Sequence, residues 1–412
     1  MKIALISYEY PPAIAVGGIG TYAWQASHML AEQGISVEVF AAGLASKVEQ
    51  PHPNIRVRRV IAESRPSFSN LLIPHLMESH QRAPFDVIEA PEIGPEGAPA
   101  FKALPQVARV LKLHTPSYLV DRTGYEKPPL AMRLRFWAGA LRQGRWATLK
   151  RPTYVRELDP EYQGALLADE IAAPSHSIGD ILTHDWSLNE SLIHHYPLPF
   201  EPKAGLLTLP LPEAVSTIGF LGRLEPRKGV IEMARAIPAI LARFPHLRFR
   251  FIGPSWPYRD TDMRSWIDRH FPQIMPALDF TGSVQPAQVS SELARCEVIL
   301  LPSRWESFGF TCCEALSSGR AVIGSAAGGM AEMIEQGVSG LLVPPHSPQA
   351  IAEAVISLAA SPDKVAAFGR AGRARISSLL APARVFPLQL ASYQRAIRQA
   401  SVRNAGKPLA VR

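Results

Sequence analysis

The sequence predicts an α/β protein built from two doubly wound halves, and three observations carry that expectation. Short apolar runs of strand length alternate with helical stretches along the chain, the pattern of parallel strands joined by crossover helices. The length of 412 residues exceeds one ordinary core and suits two domains of about 200 residues each. Between the two sets of runs, Pro197 to Pro212 contains five prolines, which reads as a semi-rigid connector.

Lys2 to Ser7 is the first apolar strand, Thr21 to Gln33 the first helix and Ile35 to Phe40 the next strand. The loop between strand and helix holds Gly17, Gly18 and Gly20. Gly18 to Ala23 fits the G-x-G-x-x-A of dinucleotide sites. Those glycines come too late after Ser7 for the tight turn of that motif, and Ile35–Phe40 does not end in an acid that could hold a ribose, so a dehydrogenase is set aside. Further strands are expected at Ile55–Val60, Asp86–Ala90 and Val107–His114. His114 then falls at the carboxyl end of its strand, where open sheets meet their crevice. A lone histidine there is more often a packed residue than a functional one. Tyr162 to Asp169 reads as a helix, and Glu170–Ser175 with Ile193–Tyr196 completes the first half.

Lys127 to Arg151 holds seven basic residues, no acid, and Phe136, Trp137 and Trp146. Leu134, Trp137, Ala138 and Leu141 recur at helical spacing. Such a helix lies on an anionic membrane, packs on the first domain with a solvated basic face, or meets an acceptor's phosphate. Arg145 would fall on the apolar stripe, which weakens the membrane reading.

The formal net charge of +7 and pI near 9.4 fit phosphorylated substrates, nucleic acid or an anionic bilayer. No recognition helix or aromatic–basic strand platform supports nucleic acid. No apolar run approaches the ~18 residues of a membrane span, and Lys2–Ser7 is too short for a signal-peptide core, so a cytoplasmic protein is expected. Cys296, Cys312 and Cys313 are odd in number and lack metal spacing, which predicts buried reduced thiols.

In the second half, the strand Thr217–Leu221 delivers Gly222, Arg223 and Lys228 around a turn, with a helix starting after Gly229. A planar fork, a mobile ammonium and nearby helix N–H groups suit a phosphate. Arg248–Gly253 is the next strand, followed by Asp260-Thr261-Asp262, where aspartate is a common helix cap; Leu278–Gly282 comes next. The central unit follows: strand Val298–Leu301, loop, helix Phe310–Leu316, strand Ala321–Ile323. Glu306 in its loop and Glu314 about a turn and a half inside its helix cannot touch, so they address opposite ends of an extended ligand. Pro348–Ala360 and Val385–Val402 read as helices.

From Pro302 to Ile323 the run P-S-R-W-E-S-F-G-F-T-C-C-E-A-L-S-S-G-R-A-V-I, followed by Gly328-Gly329-Met330-Ala331-Glu332, resembles the Glu-x7-Glu signature of family-four retaining glycosyltransferases. Their fold is GT-B, two Rossmann-like domains facing a central cleft. Arg320-Ala321 stands where that family has a residue followed by Pro. Gly222–Gly229 is similar to its G-R-L-x-x-x-K-G, and Ala168–Ser175 to its A-D-x-x-x-x-P-S. Leu198 stands where the family often has Asn.

The resemblance implies an acceptor-side domain over 1–200, a nucleotide-sugar domain over 201–384, and a helix in 385–412 that crosses back onto the first domain. It implies retaining hexosyl transfer from a nucleotide diphosphate sugar to a glycan, lipid-linked or small-molecule acceptor, without cofactor or metal. Asp260-Thr261-Asp262 matches the metal triplet of the other large glycosyltransferase fold and is read as a decoy. By the same resemblance Arg223 and Lys228 meet the diphosphate and Glu314 the ribose hydroxyls, while Glu306 meets the sugar, with His114 across the cleft. Gly17 and Gly18 approach donor phosphate and sugar, and Gly222, Ser307, Phe308, Gly309, Phe310, Gly328 and Gly329 line the donor. Alternatives are a nucleotide-sugar epimerase of the same fold and a non-catalytic nucleotide-sugar-binding partner. The segment 127–151 is a possible contact with the inner membrane face.

Overall fold

The computed structural model describes residues 1–14, 17–126, 130–145 and 153–406. It is an α/β protein with two parallel sheets in two lobes. In the first lobe the strands are β1 (Lys2–Ile6), β2 (Ser36–Gly43), β3 (Lys47–His52), β4 (Ile55–Ile61), β5 (Val87–Pro91), β6 (Ala108–Lys112), β7 (Glu170–Ala173) and β8 (Ile193–His195). Their order is β3-β4-β2-β1-β5-β6-β7-β8, parallel except for the β3–β4 pair. The second lobe adds β9 (Thr217–Leu221), β10 (Arg248–Ile252), the short antiparallel pair β11 (Pro257–Tyr258) and β12 (Thr261–Asp262), β13 (Leu278–Gly282), β14 (Val298–Leu301), β15 (Ala321–Ser325) and β16 (Gly340–Val343). Its sheet runs β13-β10-β9-β14-β15-β16, parallel throughout.

The central strands are apolar without alternation because helices cover both faces: Ile3 to Ile6 and Val298 to Leu301 are all buried. In each sheet the order reverses beside the first strand, between β1 and β5 and between β9 and β14. Ligands collect at the carboxyl ends of strands flanking such a switch. The loops leaving β1, β6, β9 and β14 face one another there.

Several elements differ from the sequence reading. β3 was not expected, because Lys-Val-Glu-Gln-Pro-His is a polar edge strand with no buried residue. β16 and the helix Pro362–Leu379 were also unforeseen. The helix expected over Tyr162–Asp169 is shorter, Pro160–Ala165, started by the Asp159 side chain accepting from Glu161 N–H at 2.8 Å. The strand expected to reach His114 ends at Lys112. The proline-rich connector is packed rather than free: Leu198, Phe200 and Leu206 are buried in an apolar cluster shared by Tyr22 and Ala26 of the first lobe and by Leu301 and Phe308 of the second. Leu198 thus serves as core at a position where an amide would have to find partners.

The last helix, Pro382–Asn404, lies on the first lobe although it follows the second in sequence. Val385, Tyr393, Ala396 and Ala400 join the core of β1, β2 and β5. Buried acids of the first sheet supply polar anchors. Tyr393 donates to Glu89 at 2.8 Å, Ser392 donates to Glu170 at 2.9 Å, and Arg403 pairs with Asp169 at 2.8 Å.

Tyr393→Ala opens a cavity and leaves Glu89 short of a donor, at an expected cost of about 3 kcal/mol. A lowered midpoint of chemical unfolding checks this, and an unchanged midpoint contradicts the docking of this helix.

Candidate active site

The turn after β9 arranges its charges in alternation. Arg223, with 39 % of its side chain exposed, holds its guanidinium 5.0 Å from the Trp256 ring centre and 3.5 Å from Glu225 Oε1. The same Glu225 oxygen accepts from Arg227 at 2.9 Å, and Arg227 reaches Glu306 Oε1 at 3.2 Å. Lys228 Nζ donates to that same Glu306 oxygen. Arg227 is buried, so the inner cation is fixed while the outer two sit at the ends of the chain of charges.

Burial alone would push the Glu306 carboxyl up, but Lys228, Arg227 and a hydrogen bond with Ser303 outweigh it and hold the group at about 2. Burial lowers the Lys228 ammonium, with Glu306 opposing. For Arg227 burial also acts downward, and Glu306 and Glu225 reverse it. The pairing therefore keeps a buried carboxylate charged, as such a site requires.

The loop that carries Glu306 is pinned from behind. Gly329 N–H donates to Glu306 C=O at 2.8 Å. Gly328 has φ +79°, and a Cβ there would stand 2.0 Å from the Glu306 carbonyl oxygen, so only glycine lets the two loops lie together. Gly328 and Gly329, expected to line the donor, thus also buttress the Glu306 loop. From the front the loop meets the first lobe. Trp305 is buried in that lobe's core and donates to Ser177 Oγ at 3.1 Å. Arg304 pairs with Glu232 and Glu126. Ser307 Oγ lies 3.1 Å from Thr115 Oγ1, and its carbonyl accepts from Ser175 Oγ at 2.6 Å.

Gly309 caps the eight-residue helix Phe310–Ser317. Phe308 is buried in the shared cluster, and Phe310 lies against Gly18, where a Cβ would sit 3.3 Å from its ring. Gly17 caps the helix Gly18–Glu32 in extended backbone. Gly222 ends β9 with its N–H on Ile252 C=O at 2.9 Å. His114 is buried behind Thr115, edge-on to Tyr22 at 5.4 Å between ring centres. Its backbone N–H donates to both oxygens of Glu92, at 2.8 and 2.9 Å. Burial, then Lys112 and Arg65, push the His114 ring down to about 3, so it is neutral. Burial raises Glu92 to about 8.

Glu314 stands apart from this cluster. It is partly buried on its helix, and burial raises its carboxyl to about 7 against the nearby Lys203. The two glutamates therefore differ in kind: Glu306 is charged at any ordinary pH and Glu314 titrates near neutrality. Asp262 caps the helix Met263–His270 by accepting from Arg264 N–H at 3.0 Å and Ser265 N–H at 3.3 Å, and Asp260 pairs with Arg269 at 3.0 Å. Cys296, Cys312 and Cys313 are buried free thiols, the first two pushed up to about 12 by burial.

A cavity of about 450 Å³ opens between the lobes beside this cluster, lined by Tyr125, Glu126, Met132, Arg227, Trp256 and Tyr258 among others. A larger recess of about 860 Å³ beside β8, lined by Asp180, His184 and His195, holds none of the residues above and is not the chemical centre. Sequence reasoning missed Arg227, Glu225, Glu92 and the Arg304–Trp305 plug. Arg227 was legible only as one cation in a polar turn, and nothing in spacing marks a side chain that pairs across 79 positions.

This fold and cleft define a GT-B glycosyltransferase. A model of "Glycosyltransferase Family 4" matches residues 16–202 and one of "Glycosyl transferases group 1" matches residues 215–361; the chain belongs to the family-four, group 1 glycosyltransferases. A D-inositol 3-phosphate glycosyltransferase of Segniliparus rotundus is 25 % identical over 96 % of this chain and 90 % of that protein. Another, from Corynebacterium glutamicum, is 32 % identical over 36 % of each chain. Among solved structures, sucrose-phosphate synthase from Thermosynechococcus elongatus superposes with a TM-score of 0.71 at 20 % identity, over 97 % of this chain and 99 % of its own. Anabaena HepE, solved with UDP and glucose, gives 0.64 at 17 % identity over 95 % and 100 %.

Removing Arg227 takes one of its two cations from the buried Glu306 and one from Glu225, whereas Arg223 lies at the surface. Arg227→Met should cost about 3 kcal/mol of stability and Arg223→Ala within about 0.5 kcal/mol. Unfolding midpoints measured side by side decide, and equal shifts contradict this difference in burial.

Proposed function

We propose that the enzyme moves a hexosyl group from a nucleotide diphosphate sugar to a glycan, lipid-linked or small-molecule acceptor, with retention at the anomeric carbon and without a metal. The observation that carries this reading is the ionised Glu306, clasped by Lys228 and by Arg227, which itself lines the interlobe cavity. HepE's complex with UDP and glucose and the D-inositol 3-phosphate glycosyltransferase relatives support the donor and acceptor classes.

Breaking the bond between sugar and diphosphate puts negative charge on the leaving group and positive character on the anomeric carbon. Fixed cations aimed at the leaving group are the largest available help. Arg223 and Lys228 sit at the two ends of the charge chain and can turn to the diphosphate. Arg227 remains on Glu306 when Lys228 turns away, so the carboxylate stays in place for the sugar hydroxyls. His114, neutral and across the cleft, offers its ring to the sugar, and Glu314 accepts from the ribose hydroxyls. Closure of the lobes gates the reaction, since the groups assigned to the ligand are split between the two halves. The protein works in the cytoplasm or against the inner membrane face.

If Glu314 binds the ribose as a carboxylate, only its ionised form contributes. Donor affinity should then rise about tenfold between pH 6 and pH 8. Glu314→Gln should weaken donor binding and flatten that dependence. Calorimetric titration at the two pH values checks this, and a slope unchanged in the variant sinks the assignment.

Lys228→Ala should lower kcat by about a hundredfold or more with a smaller change in KM. Transfer should survive chelation of divalent cations. Donor incubated alone separates transfer from epimerisation, because an epimerase converts it without an acceptor. A strict need for manganese, or wild-type turnover in Lys228→Ala, overturns the reading.

A further inference from the structure

The helix Leu130–Arg142 exposes a row of large apolar side chains on the first lobe. At helical spacing Leu130, Leu134, Trp137 and Leu141 fall within one stripe about 60° wide. Their exposures are 65, 55, 36 and 69 %, and none of the helix's described side chains is buried. A surface helix of a globular protein normally turns such a stripe inward.

Cations lie beyond both sides of the stripe: at helical spacing Arg133 falls about 40° past one edge, and Arg142 and Arg135 about 80° and 100° past the other. Arg133 holds its guanidinium 5.1 Å from the Trp137 ring centre. Among the described residues none of these arginines forms an ion pair. Arg145, which by periodicity would interrupt the stripe, does not lie on the helix. Gly144 turns the chain with φ +65°, Gly144 N–H closes on Leu141 C=O at 3.0 Å and Arg145 N–H on Ala140 C=O at 2.9 Å, a glycine-terminated end that directs the chain away. Trp146, the other aromatic of the basic segment, lies outside the described residues.

We infer that this helix docks the enzyme on an anionic lipid bilayer, its leucines and Trp137 entering the interface and its arginines meeting the headgroups. An unpartnered apolar stripe bordered by cations and free of acids is what such a surface selects. A protein partner would need both an apolar groove and acidic rims on two sides, whereas a charged bilayer presents both along its whole extent. The placement has a second consequence. Met132, on the face of this helix opposite the stripe, lines the cavity of about 450 Å³ that reaches Arg227, so docking through the stripe holds that cavity about one helix diameter, roughly 10 Å, from the membrane surface. This deepens the functional reading above, on which it rests for its choice of acceptor: of the acceptor classes named there, it selects the lipid-linked one. No described helix is long and apolar enough to cross a membrane, so the contact is one of lying on the surface.

Co-sedimentation of the full chain with vesicles, without donor, tests the inference. The enzyme should bind an equal mixture of phosphatidylcholine and phosphatidylglycerol, should ignore phosphatidylcholine alone, and should be released by salt. Leu134→Asp combined with Leu141→Asp should cut the bound fraction at least tenfold, as should reversal of Arg133, Arg135 and Arg142 to Glu. Donor hydrolysis in free solution should be unchanged in both variants, since these residues lie outside the charge chain around Glu306. No binding to the anionic mixture overturns the inference, as does binding that both variants retain. Self-association in the ultracentrifuge that the leucine variant abolishes overturns it too, by making the stripe a contact between copies. Because vesicle binding is read without donor or acceptor, a failure of the transferase reading shows in the activity arm alone.

Discussion

A carboxylate buried between two lobes is tolerable only while cations stay beside it, and the site is built around meeting that condition for Glu306. Arg227 and Lys228 converge on one of its oxygens, and Arg227 is in turn held by Glu225. The pair cannot be formed by β9's turn or β14's loop alone. It needs both strands adjacent at the centre of the second sheet, so strand order, loop length and the acid's ionisation are one requirement. The glycine pair behind the loop and the tryptophan in front of it restrict the same few residues from opposite sides.

Much of this was legible in the sequence. Unbroken apolar runs such as Val298–Leu301 announce a strand covered on both faces, and their alternation with helices leaves few topologies. Arg223, Lys228 and Glu306 stand out as charges in the loops that follow strands, and Glu314 as a carboxylate in the helix that one of those loops begins. Elements lacking such contrast escaped: β3 is polar on both faces, and Lys47 to His52 offers no buried residue for a periodicity to mark. The proline-rich connector looked like a spacer because proline count says nothing of Leu198 and Phe200 beside it, which are core.

The site's electrostatics were the least legible part. Two glutamates of the same loop–helix unit look alike on paper, yet one is held near 2 by cations and the other lifted to about 7 by burial. The difference comes from which cation lies within a few ångströms, and those partners are supplied by distant segments. His114 shows the same limit. Its place at a strand end was foreseeable, but its neutrality depends on burial and on Lys112 beside it, and its backbone is held by Glu92, an acid nothing in the spacing singled out.

The return of Pro382–Asn404 to the first lobe bears on how the polypeptide matures. Its residues complete the core around β1, β2 and β5, yet the ribosome makes them after the whole second lobe. Until that helix is made, the nascent first lobe holds Glu89 with Tyr22 and Glu170 with His194 but lacks the donors that Tyr393 and Ser392 add. The amino-terminal half therefore cannot complete its core ahead of its neighbour as independent domains usually do.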